Sequence, residues 1–402
     1  MKITKITTHL MQVGPRTAPG LPAARESFRG SRNWLFVKVH TDEGLYGVGE
    51  CSGWPRVIET AVRDLENILI GHDPGNIDLL WHRMHTAVMG HGMLGTVGGG
   101  AMTGVEMALW DLKGKALGQP VWNLLGGRFR DRVAVYSHAK TLERADQLLQ
   151  MGYRAMKTSV VTMEDAERVY QLRDHVGQDV ELMIDAHGPP WLTTADAITL
   201  GRAMEKADLL FYEDPVAPEN LDALARVRDA VDIPLAAGER VSSIWGIRPY
   251  IQRGLVDVIQ PDTGRAGGIT QMRKMAAMAE AEYMMVAPHS GSLGPVAEIA
   301  AIHVMATIPN ALMLERVEFD WAGRNDVITP APVVKDGYIH VPDAPGLGVD
   351  IVEDEVARYP SNLNVIAEHS ERHYLPGTAR EYPYFQPRSG RQRLRSFLGA
   401  RG

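Results

Sequence analysis

Acidic residues recur at the ends of short apolar runs in the second half of this 402-residue chain. Asp185, Glu213 and Glu239 each close one such run. If the runs are neighbouring parallel strands, their ends lie about 4.8 Å apart and the three carboxylates can converge on one point. Three bare carboxylates repel one another unless a cation lies between them. All-oxygen ligands favour a hard ion, Mg²⁺ first and Mn²⁺ second. The alternative is that each carboxylate pairs with a nearby Arg or Lys, as Glu239 could with Arg240.

A further carboxylate and an imidazole close the next two runs. Asp262 ends one of them and His289 ends the other. A carboxylate beside an imidazole fixes its tautomer and raises its basicity, which is typical of a general acid/base pair. His187 follows Asp185 by two residues, and side chains two apart share a face of a strand. We therefore expect His187 at the same site, with an ordinary loop histidine as the alternative.

Lys157 and Glu315 complete the candidate set. Lys157 precedes Ser159 by two residues, so both are expected to face the interior, where the lysine could neutralise an anionic substrate. A structural lysine with a buried stem is the alternative. Glu315 ends the last run. If it is protonated, it could hydrogen-bond a substrate oxygen; otherwise we expect a salt-bridge partner, for instance of Arg316 or Arg324.

These groups suit the removal of a weakly acidic proton next to a carboxylate. Loss of that proton creates an enediolate, whose developing charge a divalent ion and Lys157 would stabilise. One base takes the proton, and a second acid can protonate a hydroxyl that leaves from the next carbon.

Short apolar runs alternate with helical patterns along the chain, and this alternation indicates which strands and helices position these residues. Short apolar runs cover residues 133–137, 155–159, 181–185, 209–213, 233–239, 256–262, 284–289 and 311–315. Helical patterns such as 165–175 and 269–281 lie between them, which predicts parallel βαβ units and, with eight of them, a closed barrel. The polar residues that end the runs from Ser159 onward lie 23 to 28 residues apart. Such ends meet at one mouth of a barrel, where barrel active sites lie.

The first third of the chain predicts a separate α+β unit. Residues 33–40 and 45–50 read as two strands of a hairpin, and residues 57–69 and 102–117 have helical spacing. The segment after about residue 328 is expected to leave the barrel and return to this unit.

Net charge, cysteine content and the lengths of apolar runs exclude several classes of protein. The net charge of −7 argues against a general nucleic-acid binder, and one cysteine excludes an internal disulfide. The N-terminus lacks the apolar run of a signal peptide, and no stretch has the roughly 18 consecutive apolar residues of a membrane span. The cytoplasm is the expected compartment, and no membrane partner is expected.

Several motifs resemble the enolase superfamily, mandelate racemase subgroup. Residues 108–126, which begin Ala-Leu-Trp-Asp-Leu-Lys-Gly, are similar to the capping-domain signature of that family. Residues 211–215 (Phe-Tyr-Glu-Asp-Pro), 237–240 (Ala-Gly-Glu-Arg) and 258–270 resemble its barrel signatures. The resemblance covers about residues 1–355.

The resemblance implies a modified TIM barrel of the (β/α)₇β form with an α+β capping domain. The capping domain would comprise residues 1–128, completed by about 330–402, and the barrel residues 129–329. By position, the implied ligands of one Mg²⁺ per subunit are Asp185, Glu213 and Glu239. His289 with Asp262 matches the acid/base dyad of the family. A homo-oligomer is also implied.

One departure from the family pattern concerns the strand that carries Lys157. Racemases of this subgroup have Lys-x-Lys there, with the second lysine as a base, whereas this chain has Ser159. His187, in an Asp-x-His motif, instead resembles galactonate dehydratase and related sugar-acid dehydratases. The implied reaction is loss of water from an aldonate, with His289 taking the 2-proton, His187 protonating the 3-hydroxyl, and a 2-keto-3-deoxy acid as product. The two histidines could exchange roles.

Other functions remain open at this point. A racemase, epimerase or cycloisomerase fits the same scaffold, and a non-catalytic metal-binding scaffold would fit the ligands alone. A zinc hydrolase on a barrel needs a His-x-His pair on the first strand, where this chain has one histidine. The capping loops, with Arg16, Arg25, Arg29, Trp54 and Arg56, are candidate substrate contacts. The arginine-rich tail beyond residue 376 is expected to be a basic tail or a subunit-contact arm.

Overall fold

A computed structural model describes residues 1–13, 32–90, 94–187, 191–291 and 293–361 of the chain. Among these residues, no helix combines the length and the apolar character that crossing a membrane requires. Arg16, Arg25, Arg29 and the tail beyond residue 376 lie outside the described residues.

The N-terminal part is an antiparallel sheet covered by helices. Its strands β1 to β3 are Ile3–Val13, Arg32–Thr41 and Tyr46–Cys51, and its helices α1 to α4 are Pro55–Leu69, Ile77–Met89, Gly95–Leu117 and Val121–Leu124. β2 pairs with both β1 and β3, so the predicted hairpin of β2 and β3 is confirmed. Leu35, Val37 and Val39 of β2 are all buried in the core beneath the helices.

Close packing of α3 on β3 depends on glycine. A Cβ atom on Gly49 would lie 2.0 Å from the carbonyl oxygen of Gly104, and one on Gly104 would lie 2.2 Å from Cys51 Sγ. Real Cβ atoms do not approach other atoms this closely. The helix and the strand therefore meet backbone to backbone, as glycine in a strand often signals.

The middle of the chain alternates strands and helices as predicted. Strands β4 to β11 are Arg132–His138, Ala155–Ser159, Glu181–Asp185, Leu209–Glu213, Leu235–Ala237, Val258–Ile259, Met285–Val286 and Leu314–Glu315. Helices α5 to α11 are Leu142–Gln150, Met163–Val176, Thr194–Met204, Leu221–Arg228, Ser243–Gln252, Ile269–Ala281 and Pro295–Ala306. A helix follows each strand from β4 to β10, whereas none is found in residues 316–327 after β11. This is the (β/α)₇β form of the barrel.

Parallel pairing closes the barrel. Each strand from β4 to β9 pairs with the next one in the series, and β11 pairs with β4. The gap between β10 and β11 is bridged by Val286, whose amide donates to Asn310 and whose carbonyl accepts from Leu312. The sheet therefore has no open edge at this point.

The barrel interior is filled by one apolar residue from each strand or from the residue beside it. This cluster comprises Tyr136, Ala155, Met183, Phe211, Ala236, Val258, Ala287 and Met313. It is a packed core, as expected for this fold. Because side chains alternate along a strand, the residue two positions further on points to the same interior, closer to the mouth.

The segment after the barrel contacts both parts of the molecule. Strands β12 to β15 are Ile328–Thr329, Val334–Lys335, Tyr338–His340 and Asp350–Ile351, and helix α12 is Glu353–Ala357. β14 pairs with the barrel strand β4, whereas Pro360 bridges to Met11 of β1. Lys38 of β2 also pairs with Asp350 and Glu353. The chain thus returns to the N-terminal sheet, as predicted.

Candidate active site

The alternation of side chains along three strands carries Lys157, Asp185 and Glu213 into the barrel mouth. They follow Ala155, Met183 and Phe211 of the interior core by two residues each. Register also places Asp185 directly beside Glu213 on the next strand. All three side chains are buried.

The expectation that Glu239, Asp262 and His289 end their strands is wrong. The ladders stop earlier, at Ala237, Ile259 and Val286. The apolar runs in the sequence continue past the last ladder hydrogen bond, and periodicity alone cannot separate a strand from the extended loop after it. The three residues therefore lie in the loops that follow β8, β9 and β10, where they remain buried.

His289 and Asp262 form a hydrogen-bonded pair. The Nδ1–H of His289 donates to Asp262 Oδ2 over 2.7 Å, and Nε2 lies 2.9 Å from Glu239 Oε2. Burial alone lowers the pKa of His289, but the negative charges of Glu239 and Glu315 outweigh it and raise that pKa to about 10. A positive charge bound at Glu239 would counter this attraction. Arg265 donates to the same Asp262 oxygen over 2.7 Å, which holds the carboxylate in place.

Glu315 is bound from three sides. Lys157 Nζ lies 2.8 Å from Glu315 Oε1, His138 Nε2 lies 2.5 Å from the same oxygen, and the Ser290 amide donates to Oε2 over 2.7 Å. Burial raises the pKa of Glu315, but Lys157 and His289 outweigh burial and hold it well below its usual range. Glu315 is therefore an ionised salt-bridge partner.

The arginine partners that the sequence suggested for Glu315 are wrong. Arg316 donates to Glu298 over 2.6 Å, and Arg324 donates to Asp320 over 2.9 Å. Two residues along a strand share a face but adjacent residues do not, so Arg316 points away from its neighbour Glu315. Lys157 is the cation that pairs with Glu315 instead.

His187 lies at the rim of the site and is partly exposed. Its amide donates to Asp185 Oδ1 over 2.8 Å, and its Nδ1 lies 3.5 Å from Glu239 Oε1. Arg240 Nη2 donates to His187 Nδ1 over 2.8 Å. A guanidinium has no acceptor, so the neutral imidazole must carry its proton on Nε2.

The carboxylates predicted to bind a metal lie together but are partly engaged by cations of the chain. Lys157 Nζ is 2.6 Å from Glu213 Oε2 and 3.8 Å from Asp185 Oδ2, and Arg240 Nη2 is 2.8 Å from Glu239 Oε1. In the described part of the chain, no three His, Cys, Asp or Glu side chains stand as a closed metal-ligand set.

One oxygen of this group is left without a partner. Glu213 Oε1 is buried and accepts no hydrogen bond, although Oε2 accepts from Lys157 and from Gln260. Burial raises the pKa of Glu213 to about 8, Lys157 opposes that rise, and the charge of Asp185 adds to it. An orphaned carboxylate oxygen among like charges is a position that a hard cation would satisfy.

Sequence reasoning missed the functional contacts of several residues. These are His138 on Glu315, Arg240 on His187, Arg265 on Asp262 and Gln260 on Glu213. Arg240 and Arg265 lie within three residues of a predicted site residue, which was the available signal. Of the capping-loop candidates in the described residues, Trp54 is exposed and Arg56 donates to Gln12 over 2.7 Å.

Comparisons with known proteins agree with this architecture. Residues 5–126 match the model of the mandelate racemase/muconate lactonizing enzyme N-terminal domain, and residues 140–355 match the enolase C-terminal domain-like model. The D-galactonate dehydratase of Klebsiella pneumoniae is 36% identical over 381 residues, which cover 89% of this chain and 94% of that protein. The D-galactonate dehydratase of Variovorax paradoxus is 35% identical over 387 residues, covering 90% of this chain and 95% of that protein.

Solved structures give the same assignment. The 3,6-anhydro-D-galactonate cycloisomerase from Zobellia galactanivorans superposes with a TM-score of 0.82 at 29% identity, covering 90% of this chain and all (100%) of that one. A mandelate racemase/muconate lactonizing enzyme-like protein from Roseovarius sp. TM1035 has a TM-score of 0.80 at 33% identity and covers 90% of this chain and 96% of that one. The chain therefore belongs to the mandelate racemase/muconate lactonizing enzyme family of the enolase superfamily.

Proposed function

We propose that this protein is a dehydratase of a sugar acid, an aldonate, that forms a 2-keto-3-deoxy acid. The observation that carries the proposal is the buried His289–Asp262 pair beside three neighbouring carboxylates at the barrel mouth. The names of the relatives support it, since several are D-galactonate dehydratases.

The proposed cofactor is one Mg²⁺ per subunit, with Mn²⁺ as a possible substitute. Asp185, Glu213 and Glu239 would hold it, and Lys157 and Arg240 would give up part of their contacts with these carboxylates. When bound, the ion supplies positive charge where the enediolate of the substrate develops negative charge. The free oxygen of Glu213 supports this assignment.

Proton removal is assigned to His289. Its Nδ1–H is held by Asp262, so the unprotonated form presents the lone pair of Nε2 to the mouth. His289 takes the proton from C2 of the acid, and Asp262 holds the imidazole and stabilises the imidazolium that forms. Lys157 stabilises the charge on the carboxylate of the substrate, and Glu315 keeps Lys157 oriented.

Loss of the hydroxyl is assigned to His187. In its imidazolium form His187 gives the Nε2 proton to the departing 3-hydroxyl and is left as a neutral imidazole. Arg240 would release Nδ1 in that form, and Glu239 Oε1, 3.5 Å from Nδ1, faces the second N–H. The C2–H and C3–O bonds break, a carbon–carbon double bond forms, and water leaves. The resulting enol then gains a proton at C3 and becomes the 2-keto-3-deoxy acid.

A cycloisomerase, racemase or epimerase is the second candidate. The likeness to a 3,6-anhydro-D-galactonate cycloisomerase favours it, because that protein has the same fold. Racemisation needs a base on each face of the substrate, and Ser159 stands where a second lysine would act. A serine hydroxyl is a poor base at neutral pH, which weighs against racemisation.

One screen separates these functions. The purified protein is incubated with Mg²⁺ and a library of aldonates and aldarates, and keto products are trapped with a carbonyl reagent. A 2-keto product supports dehydration. Deuterium from the solvent at C2 of recovered acid, without any keto product, would instead favour epimerisation. No exchange and no product with any acid would leave a metal-binding scaffold.

We also propose the division of the chain into two domains. The capping domain would comprise residues 1–128, completed by residues from about 330 onward, and the barrel residues 129–329. The contacts of Lys38 with Asp350 and Glu353 support this division, whereas the pairing of β14 with β4 joins the returning segment to the barrel as well. A homo-oligomer remains a prediction.

A further inference from the structure

Two buried carboxylates of the N-terminal part reach into the barrel. Glu50 lies in β3 and Glu106 lies in α3, and both side chains are completely buried. Neither belongs to the site described above. Both accept hydrogen bonds from backbone amides of the barrel, at positions away from the His289–Asp262 pair.

Glu50 binds the beginning of α11. Its carboxylate accepts from the amide of Gly294 and, over 3.0 Å in each case, from those of Val296 and Ala297. These amides belong to the first turn of the helix, where backbone N–H groups lack helical partners and favour an anion. The loop between β10 and this helix carries His289, so Glu50 fixes the far end of that loop.

Glu106 binds the beginning of α10 in the same way. It accepts from the amide of Ile269 over 2.7 Å and from that of Thr270 over 2.9 Å, and Trp110 Nε1 donates to it over 2.9 Å. The loop between β9 and this helix carries Asp262. Each partner of the dyad therefore lies in a loop whose helical end is bound by one carboxylate from the N-terminal part.

A third contact joins the N-terminal part to the loop that carries Asp262. The amide of Ser52 donates to the carbonyl of Gly264 over 2.8 Å, and the amide of Gly264 donates to Asp262 Oδ1 over 2.9 Å. A Cβ atom on Gly264 would lie 2.5 Å from Ser52 Cβ and 2.6 Å from Leu293 Cδ2. The three segments are therefore packed without free space, and a shift of one is transmitted to the others.

Stability alone does not explain these two carboxylates. Burial raises the pKa of Glu50 and that of Glu106 to about 7, although hydrogen bonds from the amides oppose the rise. Ionising either group inside the fold therefore costs free energy. An apolar contact would join the two parts of the molecule without that cost.

We infer that Glu50 and Glu106 are positioning residues that set the placement of His289 relative to Asp262. The inference rests on the proposed function, because it assigns the dyad a role in proton transfer. Neither glutamate touches the substrate. They act through the two loops, so their loss should lower the rate of proton abstraction more than the binding of the acid.

The chain offers a matched control for this test. Asp111 is a third completely buried carboxylate of the same part of the molecule, and it accepts from the amides of Val48 and Leu347 over 2.8 and 2.7 Å. Neither of these hydrogen bonds involves the loops that carry Asp262 and His289. Asp111→Asn therefore reports the general effect of replacing such a carboxylate.

The first measurement is steady-state dehydration by Glu50→Gln, Glu106→Gln and Asp111→Asn. We expect kcat to fall about 10- to 100-fold in the two glutamine variants, since a misplacement of about 1 Å can cost that much, while KM changes less than about threefold. Asp111→Asn should keep kcat within about threefold of the wild type at a temperature where all variants are folded. Equal losses in all three variants would overturn the inference.

The second measurement does not need the substrate. In protein labelled with ¹⁵N-histidine, the hydrogen-bonded Nδ1–H of His289 gives a proton resonance that is assigned by its absence in His289→Asn. We expect Glu50→Gln and Glu106→Gln to shift or broaden this resonance and Asp111→Asn to leave it in place. If neither glutamine variant moves it, the glutamates do not position the dyad.

If Glu50→Gln fails to fold, Gly294→Ala serves as a second variant. It disturbs the contact between Glu50 and Gly294 from the barrel side of that contact. Its Cβ atom would lie 2.9 Å from Glu50 Oε1, at a backbone φ of −83° that alanine adopts readily. It should move the resonance of His289 as Glu50→Gln does, and an unmoved resonance would overturn the inference. If the wild type dehydrates no acid, the proposed function fails, but the resonance still decides the role of the glutamates.

Discussion

His289 and Asp262 are joined by a single hydrogen bond of 2.7 Å between Nδ1 and Oδ2, although neither residue lies in a strand. Asp262 Oδ2 accepts from Arg265 as well, and Oδ1 accepts from the Gly264 amide. Both oxygens of Asp262 therefore face donors only. An amide group cannot replace this carboxylate without turning its NH₂ toward one of those donors.

Asp262→Asn should therefore lower kcat for dehydration by about 10²- to 10⁴-fold, the range that general acid–base catalysis contributes. Steady-state kinetics with carbonyl trapping measures the loss. The control is Asp257→Asn, since Asp257 accepts from the Leu235 amide ahead of β9, away from the mouth. An Asp262→Asn enzyme with wild-type kcat would remove the dyad from the mechanism.

His187→Asn should separate the two halves of the reaction. We expect dehydration to fall about 10²-fold or more, because the leaving hydroxyl loses its proton donor. Exchange of the C2 proton with solvent deuterium should persist, since His289 is unchanged. Mass spectrometry of recovered acid and trapped product measures both in one sample. His175→Asn, a change in a histidine that pairs with Asp146 on the surface, is the control. Loss of exchange together with dehydration would mean that the roles of the two histidines are reversed.

Removal of divalent metal should abolish activity. Dialysis against EDTA is expected to reduce dehydration to background, and Mg²⁺ should restore it, because without the ion nothing but Lys157 offsets the negative charge that develops on the enediolate. Glu213→Gln should raise the Mg²⁺ concentration for half-maximal activity by about 10-fold or more. Glu181→Gln at the other end of β6 should not change it. Full activity after EDTA dialysis would exclude the proposed cofactor.

His303 predicts a loss of stability on acidification. Burial lowers its pKa from 6.5 to about 4, although the hydrogen bond from Nε2 to the carbonyl of Leu347 opposes that fall. Its Nδ1 accepts from the Trp122 amide. Above pH 6.5 both the folded and the unfolded chain hold a neutral imidazole, so this group contributes no pH dependence. Between pH 6.5 and 4 only the unfolded chain binds the proton. Folding stability should therefore fall as the pH falls, by about 1.4 kcal/mol per pH unit and about 3 kcal/mol in all.

Denaturant unfolding of the wild type and of His303→Gln at several pH values measures this effect. The difference between the two proteins isolates His303 from Glu50 and Glu106, whose raised pKa values act in the opposite direction. A difference that does not change between pH 7 and pH 4 would contradict the assignment.

Gly49→Ala should destabilise the protein by about 1–3 kcal/mol, the usual cost of overpacking, or more, since its Cβ atom would overlap the carbonyl of Gly104. Thermal unfolding followed by circular dichroism measures the change. Gly90→Ala is the control, because a Cβ atom there would make ordinary contacts of 3.6 Å. Equal stability of the two variants would show that α3 can move away from β3 at little cost.

Much of the fold could be predicted because its signals are local. Strands β5, β6 and β7 have the bounds that apolar runs predicted, and the alternation of side chains gave Lys157, Asp185 and Glu213 a common face. Strands β8 to β10 are shorter than predicted, since a buried loop and a buried strand have the same apolar composition.

The contacts of the candidate site could not be predicted because they join distant parts of the chain. His138 and Glu315 are 177 residues apart, and Glu50 and Gly294 are 244 apart. No spacing rule within one element connects such pairs. Arg240 was recognised as a neighbour of Glu239, but its bond to His187 across the mouth depends on how two loops are folded.

The early ends of β8, β9 and β10 have an evolutionary consequence. Asp185 and Glu213 belong to the strand ladders, so strand register fixes the place of their side chains at the floor of the mouth. Glu239, Asp262 and His289 follow the last ladder bonds, and a new side chain at the two acid/base positions leaves every strand intact. Related enzymes can thus keep the carboxylates at Asp185 and Glu213 and differ in the residues that transfer protons. In this way one fold can support many reactions.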